Sequence, residues 1–136
     1  MLRHSAGDRM EVFSAGSHPS GFIHDLATQA LNRLNIPYAG QRSKSWNEFS
    51  TTRFDVVITL CDAAAGEACP VWPGDPIRAH WPLSDPAFSS GTDEERIQFA
   101  LSIARRLQTK IDGLLALDWS LDRAELSAKI RFLGEI

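Results

Sequence analysis

The sequence has few of the features that mark a membrane, secreted or nucleic-acid-binding protein. It contains no run of about eighteen apolar residues, as a spanning helix requires, and Met1–Met10 lacks the apolar stretch of a secretory signal. It also lacks a lysine and arginine run, and its net charge is −3 with a pI near 5.7. We therefore expect a cytoplasmic protein with no nucleic-acid partner and no membrane partner.

Cysteine is scarce: the only two are Cys61 and Cys69, both in the segment "VITLCDAAAGEACPVWP". Their separation is unlike the C-x2-C spacing of zinc ribbons, and no histidine pair lies nearby, so we predict no metal site. A 136-residue chain with 43% apolar residues buries a core without a bridge. Two interpretations of Cys61 stay open on this evidence, a buried packing residue and one partner of a reversible disulfide.

Hydrophobic periodicity predicts alternating strands and helices within a single domain, 1–136. The predicted strands are Glu11–Gly16, Phe54–Leu60, which we expect to be covered on both faces, and Ile77–Trp81. The predicted helical segments are Asp25–Leu34, a turn near Ser43–Phe49, a long helix opened by the capping box Thr92–Glu95, and a last helix from Ser120 as N-cap to about Leu133. This alternation indicates an α/β fold with a parallel sheet.

Chemistry in such folds lies at the carboxyl ends of the strands, where Ser14, Cys61 and the loop with Asp85 are expected. Asp85 precedes Pro86, which holds it extended and is a rigid mount for a general acid. The alternative is an ordinary turn aspartate. His80 has the position of a proton shuttle, but we favour a packing role for it.

Four stretches together resemble one family, the thioredoxin-coupled arsenate reductases built on the low-molecular-weight protein tyrosine phosphatase fold. They are "VFSAGSHPSG", "RSKSWNEF", "FDVVITLCDAAAGEACPVWPG" and "HWPLSDPA", which occur in this order between Glu11 and Ala87. The resemblance implies a three-layer αβα fold with a short parallel sheet. It also implies an arsenate or phosphate-like oxyanion as substrate, no bound cofactor, and thioredoxin or a similar reductant as an external partner.

The same resemblance implies roles for individual residues. In this family a Cys-x5-Arg loop binds the oxyanion and supplies the first nucleophile. Cys61 corresponds to the second cysteine, which attacks the arsenic adduct, and Cys69 to the third, which closes the disulfide that thioredoxin reduces. Asp85 corresponds to the general acid, and Ser14 to a serine near the base of the substrate site.

This chain departs from the family pattern in one large respect. Position six after Cys61 is Glu67 and after Cys69 is Asp75, so neither cysteine begins a Cys-x5-Arg loop. We expect the first strand and the anion loop to be missing by N-terminal truncation, with a swapped homodimer as one way to fill the gap. Lys44 stands where some members carry a potassium-binding carboxylate, so no potassium site is predicted. Residues 119–136 are expected to form a helical extension.

Three functions remain open on the sequence. The first is an arsenate reductase in its complete form. The second is a tyrosine phosphatase-like hydrolase, which needs the anion loop and the acid but no resolving cysteine pair. The third is a non-catalytic family member that lost the nucleophile loop.

Overall fold

The structure, a computed structural model, describes residues 1–61 and 71–136, so Cys69 lies outside the described residues. Among them the α-helices are α1 (Leu2–Ala6), α2 (Asp25–Arg33), α3 (Asp93–Leu115) and α4 (Arg123–Leu133), and the strands are β1 (Val56–Thr59) and β2 (Ile77–His80). Short 3-10 helices span Gly7–Arg9, Trp46–Phe49 and Pro86–Phe88. No helix in this part of the chain is both long and apolar enough to cross a bilayer.

The two strands pair in parallel, with Val56 opposite Ile77 and Thr59 opposite His80. Their β-branched residues suit a pleated, packed surface. The pairing continues beyond the strands, because Trp81 N donates to Thr59 O at 2.8 Å and Leu83 N donates to Leu60 O at 2.9 Å. The chain after each strand therefore leaves the sheet at the same edge.

The core lies between one face of this sheet and the helices α3 and α4. Its buried residues are Ile77, Ala79, Trp81, Leu114, Leu126, Ile130 and Leu133. Trp81 is 2% exposed, and its indole Nε1 donates to Ile130 O at 2.9 Å. A second cluster joins α2 to the first half of α3 through Leu26, Ala30, Ile97, Ala100 and Leu101.

Helix α3 begins as its sequence predicts. The Thr92 side chain accepts from Glu95 N at 3.2 Å, and the Glu95 carboxylate accepts from Thr92 N at 3.4 Å, which is a complete capping box. The predicted apolar stripe faces inward, with Ile97, Leu101 and Ile111 buried. The last helix also exists, but its N-cap is Asp122, whose carboxylate accepts from Glu125 N at 2.9 Å, and the prediction of Ser120 was wrong.

The predicted strand Glu11–Gly16 was also wrong. In the described residues only Gly16 of this segment pairs, as an isolated bridge to Ser45. A strand needs a neighbour along its whole length to form a ladder of hydrogen bonds, and one bridge does not provide this. Aromatic contacts hold this segment instead. The centroid of the Phe13 ring lies 5.3 Å from the ring centroid of Phe49 and 5.4 Å from that of Phe54.

The expectation that the Phe54–Leu60 run is covered on both faces was wrong as well. The strand is limited to Val56–Thr59, and all four of its residues are half-buried. The sheet of the described residues has two strands, so β1 has a paired neighbour on one side.

Candidate active site at the carboxyl ends of the strands

Cys61 lies at the carboxyl end of β1, two positions after Thr59, and its side chain is exposed. The preceding residue is anchored, because Leu60 O accepts the hydrogen bond from Leu83 N. The backbone just before Cys61 is therefore anchored, and the thiol is exposed to solvent. An exposed position satisfies one requirement of a reactive cysteine, which must reach a substrate or a second thiol.

Asp85 follows the same end of β2, two residues after the Leu83 anchor. Its backbone is extended, with φ −84° and ψ 114°, as the following Pro86 predicts. One carboxylate oxygen, Oδ1, accepts from Ala87 N at 2.9 Å and caps the 3-10 helix Pro86–Phe88. The side chain is thus an exposed carboxylate that caps a turn, which agrees with the alternative of a turn aspartate, while its role as a general acid stays a prediction.

A polar pair that the sequence did not single out lies between the two strands. His80 and Thr59 are opposite each other, with 2.8 Å between His80 Nδ1 and Thr59 Oγ1 and 3.1 Å between His80 Nδ1 and Thr59 O. Thr59 is the last residue of β1 and precedes Cys61 by two positions. This two-residue spacing from Cys61 is the sequence feature that could have identified Thr59 as a candidate site residue. The pair orients the His80 ring at the edge that carries Cys61.

Ser14 lies elsewhere. It borders a cavity of about 320 Å³ whose other walls come from residues 15–24 and from Arg42, Ser43 and Lys44. Cys61 and Asp85 are not among the residues that line this cavity. The structure therefore brings Cys61 and Asp85 to one edge of the sheet and leaves Ser14 in a separate depression.

The wall of the Ser14 cavity carries two cations. Arg42 Nη1 donates to Glu48 Oε2 at 3.1 Å, and this hydrogen bond is the main reason why the pKa of Glu48 is lowered. Lys44 Nζ donates to Arg42 O at 3.0 Å. The Lys44 ammonium group thus contacts a backbone carbonyl of its own segment.

Together these elements define a protein class: an α/β protein with an exposed strand-end thiol and an anchored carboxylate at one sheet edge. The arrangement suits nucleophilic and thiol–disulfide chemistry, in which a thiolate attacks and a carboxyl group supplies a proton. The backbone amides and arginine of a Cys-x5-Arg anion loop are not present in this sequence.

Residues 1–125 match the family described as low molecular weight phosphotyrosine protein phosphatase, and the chain belongs to this family. The match confirms the predicted fold class, a low-molecular-weight phosphatase-like α/β fold. It includes the beginning of α4, which starts at Arg123.

Several curated relatives carry the name arsenate reductase. The one from Halalkalibacterium halodurans is 34% identical over 105 residues, which cover 77% of this chain and 71% of the relative. The one from Shouchella clausii is 37% identical over 94 residues, covering 69% and 66%, and the one from Bacillus subtilis is 36% identical over 93 residues, covering 68% and 66%. The chain thus spans about two thirds of the length of these relatives.

Proposed function

We propose that this protein acts in the reduction of arsenate to arsenite through a cysteine thiol–disulfide relay, with thioredoxin or a similar protein as the reductant. The observation that carries the proposal is the exposed Cys61 at the carboxyl end of β1, beside the loop that mounts Asp85. The names of the relatives at 34–37% identity support the same reaction.

The proposed reaction balances as follows. A nucleophilic thiolate, which these 136 residues do not supply in a Cys-x5-Arg loop, displaces an oxygen of arsenate, and Asp85 protonates the leaving oxygen. Cys61 then attacks the sulfur of this adduct, a disulfide forms, and the electron pair passes to arsenic, which leaves as arsenite. Cys69 attacks Cys61 and releases the first thiolate.

Reduction of the Cys61–Cys69 disulfide completes the cycle. A thioredoxin dithiol supplies two electrons and two protons and leaves as a disulfide. An exposed position favours this exchange, because the incoming thiolate needs access to the sulfur that it attacks. We place the protein in the cytoplasm, where such reductants operate.

The relay can be tested on this chain directly. The protein is oxidised with diamide, freed of reagent and mixed with thioredoxin, thioredoxin reductase and NADPH. We expect a single stoichiometric round of NADPH oxidation, together with the loss of two thiols on oxidation and their return on reduction. Cys61→Ser and Cys69→Ser should each abolish both signals. If the wild-type chain forms no intramolecular disulfide, the assigned pair is wrong.

Arsenate itself gives a second test. The 136-residue chain with arsenate, thioredoxin, its reductase and NADPH should show no turnover, because no Cys-x5-Arg nucleophile is present. Sustained arsenite production by this chain would contradict the assignment of Cys61 and Cys69 to the later steps. A longer form that contains the loop should turn over and should lose turnover in Cys61→Ser.

The family description favours one second candidate, a tyrosine phosphatase-like hydrolase. Hydrolysis requires the anion loop and an acid at Asp85 but makes no use of Cys61. A loop-containing form whose full activity survives Cys61→Ala, and falls with Asp85→Asn, would support this candidate over the reductase.

A further inference from the structure

A cavity of about 810 Å³ is lined by both strands, by α3 and by the end of α4. Val57, Thr59, Arg78 and His80 border it. Cys61, Asp85 and Ser14 are not among its lining residues. We call this depression the arginine cavity.

Three arginines from three different elements line the arginine cavity: Arg78 of β2, Arg106 of α3 and Arg131 of α4. The one carboxylate side chain in the lining is that of Glu135. Within residues 1–61 and 71–136, the recorded ion pairs use Arg33, Arg42 and Arg123, not the three cavity arginines. Among the residues that the structure describes, the lining thus carries more cationic than anionic side chains.

The wall is held in part by contacts between α4 and β2. Arg131 Nε donates to Arg78 O at 3.1 Å, which ties α4 to β2. A side chain at Gly134 would collide with His80 O, so the end of α4 lies directly on the strand. These contacts fix the backbone of β2 against the end of α4, the two elements from which the exposed side chains of Arg78 and Arg131 extend.

Lys110 adds a fourth cation behind the wall. Its ammonium group is fully buried and donates to Gly134 O at 3.0 Å and to Ile136 O at 2.7 Å, and both acceptor residues line the cavity. Burial and then the positive charge of Arg106 lower the pKa of Lys110. The influence of Arg106 on Lys110 indicates that the cations are close enough for their fields to add.

We propose that the arginine cavity binds a phosphorylated small molecule. Guanidinium groups match phosphate oxygens in charge and in two-pronged hydrogen-bond geometry. The volume lies within the range of about 300–1,000 Å³ that is usual for small-molecule sites. Val57, Ala79 and Pro82 offer an apolar wall for the organic part of the ligand. The proposal does not rest on the thiol relay, although Thr59 and His80 border the cavity and also lie at the strand ends that lead to Cys61.

The test uses isothermal titration calorimetry on the 136-residue chain with three probes: pyrophosphate, ADP and succinate. We expect both phosphates to bind, ADP more tightly because it also covers the apolar wall, and succinate to bind at least about ten-fold more weakly. Arg106→Gln and Arg131→Gln should each weaken pyrophosphate binding by about ten-fold, the effect of losing one charge-assisted hydrogen bond.

Arg105→Gln is the matched control. Arg105 precedes Arg106 on α3, is exposed and is not a lining residue, yet its replacement changes the net charge equally. We expect it to change pyrophosphate binding by less than about two-fold at constant salt, because salt screens the charge of a side chain that lies away from the ligand. Circular dichroism checks that each variant is folded.

Four outcomes would overturn the proposal: no binding of either phosphate, unchanged binding in both cavity variants, equal loss in Arg105→Gln, or succinate binding as tight as pyrophosphate. The cysteine variants of the relay test should bind pyrophosphate normally. Failure of the relay and failure of this site are therefore distinguishable.

Discussion

Replacing Lys110 by methionine should destabilise the protein by about 2–4 kcal/mol. Lys110 is the one charged side chain that is fully buried among the described residues. Its Nζ donates to Leu133 O at 2.9 Å as well as to Gly134 O and Ile136 O. These acceptors follow or end α4, where the last carbonyls of a helix have no intrahelical partner.

The magnitude follows from two opposing effects. A hydrogen bond from a charged group contributes about 1.5–3 kcal/mol, so three such bonds contribute about 4–9 kcal/mol before the loss of ammonium hydration is subtracted. Methionine restores the apolar stem but leaves buried carbonyls at Leu133 and Gly134 unsatisfied, at about 1–3 kcal/mol each. Only part of the gross stabilisation is therefore lost.

Urea unfolding of wild type and Lys110→Met at neutral pH measures this difference. The melting temperature should fall by about 6–12 °C for a domain of this size. Lys129→Met is the matched control: Lys129 is exposed on α4, so its replacement should change stability by less than about 0.5 kcal/mol. Equal stability of the two variants would refute the assignment of Lys110 as the side chain that anchors the end of α4.

The pH dependence of the same pair gives an independent check. Burial, with a smaller effect of Arg106, places the pKa of Lys110 below its ordinary value of 10.5. Between the two values the unfolded chain binds a proton that the folded chain has released, so stability rises with pH through this window. In this pH range the wild type should gain stability relative to Lys110→Met. A difference in unfolding free energy between the two proteins that narrows with rising pH would contradict the lowered pKa of Lys110.

Two further predictions concern backbone contact and surface charge. Gly134→Ala should destabilise the protein by about 1–3 kcal/mol in urea unfolding, because the added methyl group collides with the backbone oxygen of His80. Arg33→Gln should raise the pKa of Glu94 from about 2 towards its ordinary range, since the hydrogen bond from Arg33, then that from Gln98, lowers it. A carbon-detected NMR titration of Glu94 measures the change, and loss of this charge interaction makes the variant less sensitive to acid.

Gly134→Ala and Arg33→Gln each have a matched control variant in this chain. Gly16→Ala adds the same methyl group where no atom lies within 4 Å, and it should be nearly neutral. Arg105→Gln removes the same charge as Arg33→Gln away from that ion pair and should leave the Glu94 titration in place. A Gly134→Ala variant as stable as Gly16→Ala would contradict the close packing of α4 on β2.

Helices α2, α3 and α4 were largely predictable because their signals are local. The capping box at Thr92 and Glu95 and the periodic apolar residues of α3 require only neighbouring residues in the sequence. The N-cap of α4 was missed by two positions, since both Ser120 and Asp122 have capping side chains. The choice between them depends on the turn in which Asp118 Oδ1 accepts from Ser120 N at 2.9 Å.

Strand prediction was less complete because a strand depends on its partners. The apolar run from Phe54 and the segment from Ile77 became β1 and β2. Glu11–Gly16 has the composition of a strand, but within the part of the chain that the structure describes it pairs only at Gly16. Its place is determined by the Phe13 ring contacts, which join residues far apart in the chain.

The sequence by itself determined helices α2, α3 and α4, the parallel strands β1 and β2, the family resemblance and the position of Cys61 and Asp85 after successive strands. These follow from local pattern and from the rule that parallel strands share a carboxyl edge. Only the tertiary structure decided that Ser14 lies in a separate cavity, that Thr59 contacts His80, and that Lys110 is buried against the end of α4. The three cavity arginines likewise converge only because β2, α3 and α4 pack together, and no local pattern encodes a contact among residues so distant in sequence.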